Sequence, residues 1–190
     1  MDKIKFYFPE NHYQHGFKGG SSTVSACFVL KETILSYFKE NSIVYAMFLD
    51  MSKAFDKINH EILFYFLHKC GVPGIYIKLI AYWYRNQFVQ VEYGGFFSKE
   101  WKIRNGVRQG GILSPFFFKL YIHDLIERIS RCKVGCRLGL FSSNIIAYAD
   151  DIVLLAPSIN ALQHLANLIS EEINKISLKF NSSKSSCMRF

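Results

Sequence analysis

The sequence lacks long apolar runs, proline-rich segments and internal repeats. Only 4 of its 190 residues are proline, and half of the residues are hydrophobic. No window reaches about 18 uninterrupted apolar residues, the minimum for a membrane-spanning helix. The longest apolar runs, such as residues 43–49, have the length of a strand. These features exclude a membrane-spanning helix and argue against an intrinsically disordered chain.

The cysteines form no disulfide pattern. There are five, an odd number, scattered at positions 27, 70, 132, 136 and 187. This distribution predicts a reducing compartment, either the nucleus or the cytoplasm. Cys132 and Cys136 are four apart, but no second pair has the spacing of zinc ligands, so we interpret them as buried or idle thiols.

Aromatic and basic residues are abundant. Aromatic residues make up 16% of the chain, and 23 Lys and Arg face 15 Asp and Glu, which gives a net charge of +8. A basic cluster, with no acid between its members, consists of Arg128, Arg131, Lys133 and Arg137. A positive balance suits a polyanionic partner, nucleic acid before membrane. A basic protein that is merely soluble would have the same balance, and this alternative stays open.

Hydrophobic periodicity and turn residues predict an α+β fold. Helices are expected after Ser21 or Ser22, over about 59–69, 73–85 and 114–130, and after Ser158. A buried strand is expected over 43–49, with hairpins over 88–103 and 144–156 and within 178–190. The first helix should carry on one side Val24, Cys27, Phe28, Leu35 and Phe38. The last helix should direct inward Leu162, Leu165, Leu168, Ile169 and Ile173.

Three aspartates are expected at strand ends. Asp50 follows the buried strand, and Asp150 and Asp151 lie at the tip of a predicted apolar hairpin. A carboxylate there is costly unless it is paired, metal-bound or at the surface. If the strands are neighbours, Asp50 and Asp150 meet at one sheet edge and suit two Mg²⁺ ions about 3.5–4 Å apart. Ordinary turn chemistry is the alternative for an Asp-Asp pair.

Four segments follow one another in a recognisable order: Phe48-Leu-Asp-Met-Ser-Lys-Ala-Phe-Asp-Lys-Ile-Asn-His, Gly106-Val-Arg-Gln-Gly-Gly-Ile-Leu-Ser-Pro, Tyr148-Ala-Asp-Asp-Ile-Val-Leu-Leu and Leu178-Lys-Phe-Asn-Ser-Ser-Lys-Ser. They resemble the four palm motifs of reverse transcriptases, most closely those of non-LTR (LINE-type) retrotransposons. Upstream, Gln14-His-Gly-Phe-Lys-Gly-Gly-Ser-Ser-Thr is similar to the end of the fingers region, with Lys18 where the family usually has Arg. The resemblance runs from about residue 9 to residue 190.

The resemblance implies a right-hand polymerase palm, an antiparallel sheet backed by helices, with part of the fingers and no thumb. Residues 1–42 and 58–112 would be fingers elements, and residues 43–57 and 113–190 would be palm, in one incomplete domain. The implied reaction adds deoxynucleotides to a primer 3′-hydroxyl on an RNA template, with two Mg²⁺ ions or with Mn²⁺. The implied partners are an RNA template, a DNA primer and deoxynucleoside triphosphates, with no membrane, and the oligomeric state is open.

The resemblance also implies roles for the acidic and basic site residues. Asp50 and Asp150 match the two principal metal ligands, and Asp151 matches the third carboxylate. Lys184 matches the lysine that protonates the leaving pyrophosphate, although a solvated charge is an equal alternative. Residues in contact with nucleic acid would include Lys18, Tyr148 and the basic cluster.

Further positions match the nucleotide site. The backbone amides of Lys53 and Ala54 would hold the triphosphate. Phe55 would exclude the 2′-hydroxyl of a ribonucleotide, and a plain core role is its alternative. The residues near nucleotide and template would be Arg108, Gln109 and Gly110, with glycine expected where another group approaches closely.

Two other functions stay open. A non-catalytic nucleic-acid-binding remnant would share the fold and the basic charge, and nucleotide cyclases also place paired aspartates on palm-like folds. The segment containing Gln109 and Ser114-Pro115 argues against a cyclase. Because the resemblance implies missing upstream fingers and a missing thumb, we expect this chain alone to bind nucleic acid and to extend primers feebly or not at all.

Overall fold

A computed structural model of the protein describes residues 6–190. These residues form two compact units, and the fold is α+β with antiparallel pairing in its sheets. One unit consists of Phe55–Tyr121 together with residues 6–9, and the other consists of Glu10–Ala54 and Ile122–Phe190. No helix within the described range is long and apolar enough to span a bilayer.

A four-stranded sheet lies in the second unit. Its strands are β1 (Tyr45–Asp50), β8 (Ile145–Tyr148), β9 (Asp151–Ala156) and β10 (Ser186–Arg189). Their order is β10-β1-β9-β8, and every neighbouring pair is antiparallel. The strand predicted over 43–49 is present as β1, but only Ala46 and Leu49 of β1 are buried and its other residues are half-buried.

Helices flank this sheet. Helix α1 (Thr23–Lys39) packs against β8, and helix α5 (Ile159–Lys175) packs against β9 and β1. Ser158 caps α5 by accepting from the Ala161 amide, as its side-chain chemistry predicts. The inward face of α5 was predicted correctly for Leu162, Leu165, Ile169 and Ile173, which are buried, whereas Leu168 is half-buried.

In the chain before β8, helix α4 (Ser114–Ser130) is followed by a small hairpin of β6 (Arg137–Leu138) and β7 (Phe141–Ser142). The helix was predicted from the sequence, and the hairpin was not. The buried amide of Asn144 organises the loop before it. Its Nδ2 group donates to the carbonyls of Ile129, Cys132 and Val134 at 2.8, 3.2 and 3.0 Å. No cysteine within residues 6–190 forms a disulfide. Cys136 is buried, as the sequence predicted, and burial raises the pKa of its thiol to about 12, whereas Cys132 is half-buried.

Besides the first part of α4, the first unit holds two helices and a hairpin. Helix α2 (His60–Lys69) begins after Asn59, whose side chain accepts from two backbone amides, and helix α3 (Gly74–Arg85) begins after Pro73. The hairpin consists of two short ladders: β2 (Phe88–Val89) with β5 (Trp101–Lys102), and β3 (Glu92–Tyr93) with β4 (Phe96–Phe97). All four strands are exposed, and the pairing is interrupted between the ladders.

Two predictions about packing were wrong. The side of α1 expected to be apolar and packed is largely exposed, since Val24, Phe28 and Phe38 are 75%, 61% and 73% accessible. The helix instead turns Ala26 and Thr33 inward, and the partly buried side chains of Val29, Leu30 and Ile34 pack against the same core cluster. The C-terminal residues do not pair with each other: β10 pairs with β1, and Phe180 bridges Met51.

Candidate active site

The three aspartates lie at one edge of the four-stranded sheet. Asp50 is the last residue of β1, and its cross-strand partner is Asp151, the first residue of β9. Asp150 lies in the two-residue turn between β8 and β9, which Tyr148 and Asp151 close as a pair. The strand register places Asp151 opposite Asp50, and Asp150 lies in the adjoining turn. The expected meeting of the Asp50 and Asp150 carboxylates at this edge stays a prediction.

Strand alternation fixes the face on which two of these carboxylates lie. Side chains two residues apart on a strand share a face, so Asp50 lies on the face of Phe48, and Asp151 lies on the face of Val153. Phe48 and Val153 are themselves cross-strand partners and pack against the cluster that contains Ala26 of α1. Asp50 and Asp151 therefore share the α1 face of the sheet. A cavity of about 200 Å³ beside Asp151 is lined by α1 and by this face.

The electrostatics of the edge show that the charges interact. Although the Asp151 side chain is exposed, its pKa is raised above its usual value. Desolvation is the largest cause, followed by the negative charges of Asp150 and Asp50, while Lys184 acts in the opposite direction. Like charges gathered in this way disfavour ionisation, and a bound cation would relieve the repulsion.

The segment after α5 holds the end of β1 in place. Asn181 donates its backbone amide to the Asp50 carbonyl at 2.8 Å, and the Asp50 amide donates to Ser185 Oγ at 3.4 Å. The Ser52 amide donates to the Lys179 carbonyl at 2.9 Å. Lys184 is exposed and lies on this segment. Its position there explains why its positive charge acts to lower the pKa of Asp151.

The chemistry of the edge suits a hard divalent cation. Carboxylate oxygens are the protein ligands that Mg²⁺ prefers, and Mg²⁺ is commonly held by one or two carboxylates, with water and substrate phosphates completing the octahedron. Within residues 6–190 no three His, Cys, Asp or Glu side chains are gathered so as to enclose a metal ion by themselves. The donor set therefore fits a substrate-completed Mg²⁺ site and not an all-protein cage.

The sequence did not identify Gln14 and Gly16 as part of this edge. Gln14 Nε2 donates to the Ala149 carbonyl at 3.0 Å, and Gln14 Oε1 accepts from the Ala149 amide at 2.9 Å. The Gly16 amide donates to the same Oε1 at 2.7 Å. The motif that begins at Gln14 could be recognised in the sequence. The partner of the Gln14 side chain, Ala149, is 135 residues away and could not.

The residues just after β1 form a turn. Lys53 is exposed and has φ 49°, and Ala54 is buried. A tight turn directs consecutive backbone amides to one side, which is compatible with the phosphate contact expected of Lys53 and Ala54. That contact stays a prediction.

In the first unit, Phe55 stacks on the buried ring of Phe118, with a centroid distance of 4.8 Å and an interplanar angle of 16°. Its ring is half-buried, so part of it packs and part is accessible. Both the core role and the role at the sugar are compatible with this arrangement.

Exposed Arg108 and Gln109 line a cavity of about 780 Å³ in the first unit, together with Trp83, Phe88 and Asp56. Gly110 follows with φ 78°, and no described protein atom lies within 4 Å of where a Cβ would be. The positive φ favours glycine at this position. The close approach of nucleotide or template to Gly110 stays a prediction.

The basic cluster is partly neutralised. Arg131 pairs with Glu127 at 2.9 Å, Arg128 lies 3.6 Å from Glu172, and the Arg137 guanidinium donates to the Leu140 carbonyl at 2.7 Å. Lys133 is exposed. Two acidic residues that lie outside the cluster in the sequence, Glu127 and Glu172, are therefore close to it in the structure. They reduce the positive charge that we assigned to this surface.

Lys18 and Tyr148 are both half-buried. Lys18 lies near His15, whose pKa is lowered first by burial and then by the Lys18 charge. Tyr148 lines the cavity beside Asp151. Contacts of Lys18 and Tyr148 with nucleic acid stay predictions.

Comparison with known proteins gives one family. The model of the family "Reverse transcriptase (RNA-dependent DNA polymerase)" matches residues 4–189. A retrovirus-related Pol polyprotein from the type-2 retrotransposable element R2DM of Drosophila melanogaster is 32% identical over 136 residues, which are 72% of this chain and 13% of that protein. A probable RNA-directed DNA polymerase from transposon X-element of the same species is 27% identical over 94% of this chain and 19% of that protein.

Solved structures agree on the fold. Telomerase from Candida tropicalis in complex with a fragment of telomeric RNA has a TM-score of 0.72 at 14% identity, over 98% of this chain and 32% of that chain. The apo enzyme truncated from its C-terminal domain has a TM-score of 0.69 at 16% identity, over 94% of this chain and 36% of that chain. At this identity the likeness shows the fold alone, and the fold is that of a polymerase palm with fingers elements.

Proposed function

Because the chain belongs to the reverse transcriptase (RNA-dependent DNA polymerase) family, we propose that it is the catalytic core of an RNA-directed DNA polymerase. The observation that carries the proposal is the pairing of Asp50 with Asp151 beside the turn that contains Asp150. Antiparallel pairing places three carboxylates from distant parts of the sequence at one sheet edge. A transferase that handles triphosphates needs negative ligands of this kind for its metal ions.

In this proposal Asp50, Asp150 and Asp151 hold Mg²⁺ or Mn²⁺ at the sheet edge. The bound ions would supply charge stabilisation for the attacking hydroxyl and the leaving pyrophosphate. The pKa of Asp151 is raised first by desolvation and then by the negative charges of Asp150 and Asp50. This shift supports the assignment, because negative charge is crowded at the site. Lys184 is proposed to protonate the pyrophosphate, which is supported by the reach of its charge to Asp151.

The same proposal gives roles to residues around the strand end. The amides of Lys53 and Ala54 would hold phosphates, and Phe55 would exclude ribose by steric contact. The exposed side chains of Arg108 and Gln109 would contact nucleotide or template, as would the backbone at Gly110. Template RNA, a DNA primer and deoxynucleoside triphosphates are the proposed partners.

The decisive experiment is primer extension on a primed RNA template. This chain would replace the corresponding segment of an active reverse transcriptase, because the chain spans only 13% and 19% of the two relatives described above. We expect metal-dependent incorporation of deoxynucleotides by the chimera, its loss in Asp150→Asn, and its retention in Glu171→Gln, an exposed acid on α5. Equal extension by the Asp150→Asn chimera would refute the proposed role of this edge.

For the 190-residue chain alone, we expect binding to primed RNA with little extension. A displacement of about 1 Å can cost roughly a hundredfold in rate, so a polymerase core without supporting segments is expected to be slow. Six phosphate contacts would give a log–log salt dependence with a slope near −4 on single strands, from about −0.7 per contact. Salt-independent binding, or robust extension by the chain alone, would contradict this expectation.

A further inference from the structure

The turn between β8 and β9 is held by one side chain from a distant segment. Gln14 is buried, with 3% of its surface accessible. Its side-chain amide forms two hydrogen bonds with a single residue, Ala149: it donates to the Ala149 carbonyl and accepts from the Ala149 amide. Both backbone groups of Ala149 are thus satisfied by one planar amide. Neighbouring backbone bonds extend the contact, since the His15 amide donates to the Ala147 carbonyl and the Ala147 amide donates to the Tyr13 carbonyl, each at 2.8 Å.

Ala149 needs such support because of its conformation. It has φ 54°, in the left-handed region where a Cβ crowds the backbone and where glycine is the usual residue. Asp150 and Asp151 follow it directly. If the Ala149 backbone relaxed to a negative φ, the turn would change shape, and the direction of both aspartates would change with it.

Gly16 allows the supporting segment to come close enough. A Cβ at Gly16 would lie 2.3 Å from the Ala149 nitrogen and 2.9 Å from Gln14 Oε1. No side chain fits there without displacing the turn or the amide. Gln14 and Gly16 therefore act together: the glycine leaves room, and the amide fills the hydrogen-bonding positions of Ala149.

We propose that Gln14 is a positioning residue, whose amide locks the Ala149-Asp150 turn in the conformation that presents Asp150 and Asp151 to a divalent cation. The proposal rests on the proposed function for the role of the metal. Its structural part, the lock itself, stands on the hydrogen bonds of this chain alone. Gln14 touches no reacting group in this proposal and acts only through the backbone of Ala149.

The test compares Gln14→Met with a matched control in the same segment. Met fills a similar volume without an amide, so the packing is largely kept. Asn11 is also a buried amide; its Oδ1 accepts from the Tyr13 amide and its Nδ2 donates to Glu127, but neither group bonds to the hairpin. Asn11→Ala therefore removes a buried amide of the segment and leaves the bonds to Ala149 in place.

Two readouts are measured on the 190-residue chain: amide hydrogen exchange of Ala149 by NMR without metal, and Mn²⁺ affinity by calorimetry. For Gln14→Met we expect exchange of the Ala149 amide to be about tenfold faster. We expect Mn²⁺ to bind about tenfold more weakly, the lower end of the cost of losing a supporting partner. Asn11→Ala should lower the melting temperature and leave both readouts unchanged.

Ala149→Gly provides the rescue. Glycine adopts a positive φ without the Cβ penalty, so Ala149→Gly in the Gln14→Met background should recover most of the Mn²⁺ affinity. Ala149→Gly alone should bind Mn²⁺ like the wild type, because the Gln14 amide still holds the turn, and this arm does not require Gln14→Met to fold. Weaker binding by Ala149→Gly alone would show that the alanine, not Gln14, holds the turn.

The outcomes separate this inference from the proposed function. Unchanged Ala149 exchange in Gln14→Met, or the same change in Asn11→Ala, would overturn the lock. If the wild-type chain binds no Mn²⁺, the metal assignment fails, and the exchange rates alone decide whether Gln14 fixes the turn.

Discussion

The β8–β9 hairpin and the β3–β4 hairpin both close on two residues, and they solve the same conformational problem in different ways. The β3–β4 turn consists of Gly94 and Gly95, whose φ values of 58° and 79° cost glycine little. The β8–β9 turn contains Ala149 with φ 54°, and it is held by the Gln14 amide. One turn is specified locally, whereas the other depends on a contact across the fold.

The surroundings of the two hairpins differ as well. The strands of the β8–β9 hairpin are largely buried and belong to a four-stranded sheet, whereas every strand of the first-unit hairpin is exposed. A buried sheet fixes its strand ends within a small range of positions, and carboxylates that share a metal need that precision. This difference supports the proposal that the chemistry lies at the sheet edge and not at the exposed hairpin.

The largest effect is expected from Asp50. In the chimera described above, Asp50→Asn should lower primer extension on the order of a hundredfold or more, because loss of a metal ligand removes several kcal/mol of stabilisation. Tyr93→Ala, at the tip of the exposed hairpin, should leave catalysis much less affected. Single-nucleotide incorporation rates measure both. A loss with Tyr93→Ala as large as with Asp50→Asn would remove the distinction between the two regions.

Stability should divide in the same way. Leu154 in β9 is fully buried, so Leu154→Ala should cost about 2–5 kcal/mol in the free energy of unfolding. Phe96 in β4 is 82% exposed, and Phe96→Ala should change that free energy by no more than about 0.5 kcal/mol. Urea titrations followed by circular dichroism give the two values. Similar costs would mean that the hairpin is covered in solution.

Phe55 tests a position just beyond the end of β1. In the chimera, Phe55→Val should raise ribonucleotide incorporation relative to deoxynucleotide by roughly tenfold, because a smaller side chain leaves room for the 2′-hydroxyl. Phe55→Tyr keeps the ring and serves as the control. The ratio is measured by competition between the two nucleotides. If Phe55→Val leaves the ratio unaltered in a folded protein, Phe55 has the core role and does not exclude ribose.

The smallest effect concerns Asp151 and pH. Its raised pKa means that the folded state binds its proton more tightly than the unfolded state, so the penalty is present at neutral pH and disappears below the unfolded value. Without metal, Asp151→Asn should therefore raise the melting temperature at pH 7 by up to about 2 °C. Below about pH 3.8 the gain should vanish. A gain of the same size at both pH values would show that the ionised Asp151 carboxylate is not its cause.

Without metal, Asp151→Asn is expected to melt at a higher temperature than the wild type, and bound metal should reverse this difference. Mg²⁺ stabilises only the protein that binds it, so adding Mg²⁺ should raise the melting temperature of the wild type more than that of Asp151→Asn. Differential scanning fluorimetry with and without Mg²⁺ shows the difference. An equal response in both proteins would remove Asp151 from the metal site.

Several features followed from local sequence signals. Ser158 and Asn59 cap helices, as their side-chain chemistry allows, and Pro73 directly precedes the start of a helix. The strand that ends at Asp50 was identified from its apolar run, without an alternating pattern. These features depend on residues within a few positions of each other. The order of the motifs, with Asp50 before Asp150, is also read directly from the sequence.

Other features depended on which surfaces meet. The apolar periodicity of α1 indicated the wrong inward side, because Ala26 and Thr33, and not the larger Phe28, face the sheet. The C-terminal strand paired with β1 and not with its own neighbour, since the hydrogen-bonding edge of β1 was available to it. Neither outcome is encoded in a local pattern.

The sequence by itself determined the family, the aspartates and the approximate elements, because motifs, caps and apolar runs are read over short distances. Only the tertiary structure decided that Asp151, and not Asp150, lies opposite Asp50, that Glu127 and Glu172 offset the basic cluster, and that Gln14 bonds to Ala149. The physical reason is common to all three. Strand register, ion pairing and buried hydrogen bonds join residues far apart in the chain, and they are set only when the elements pack.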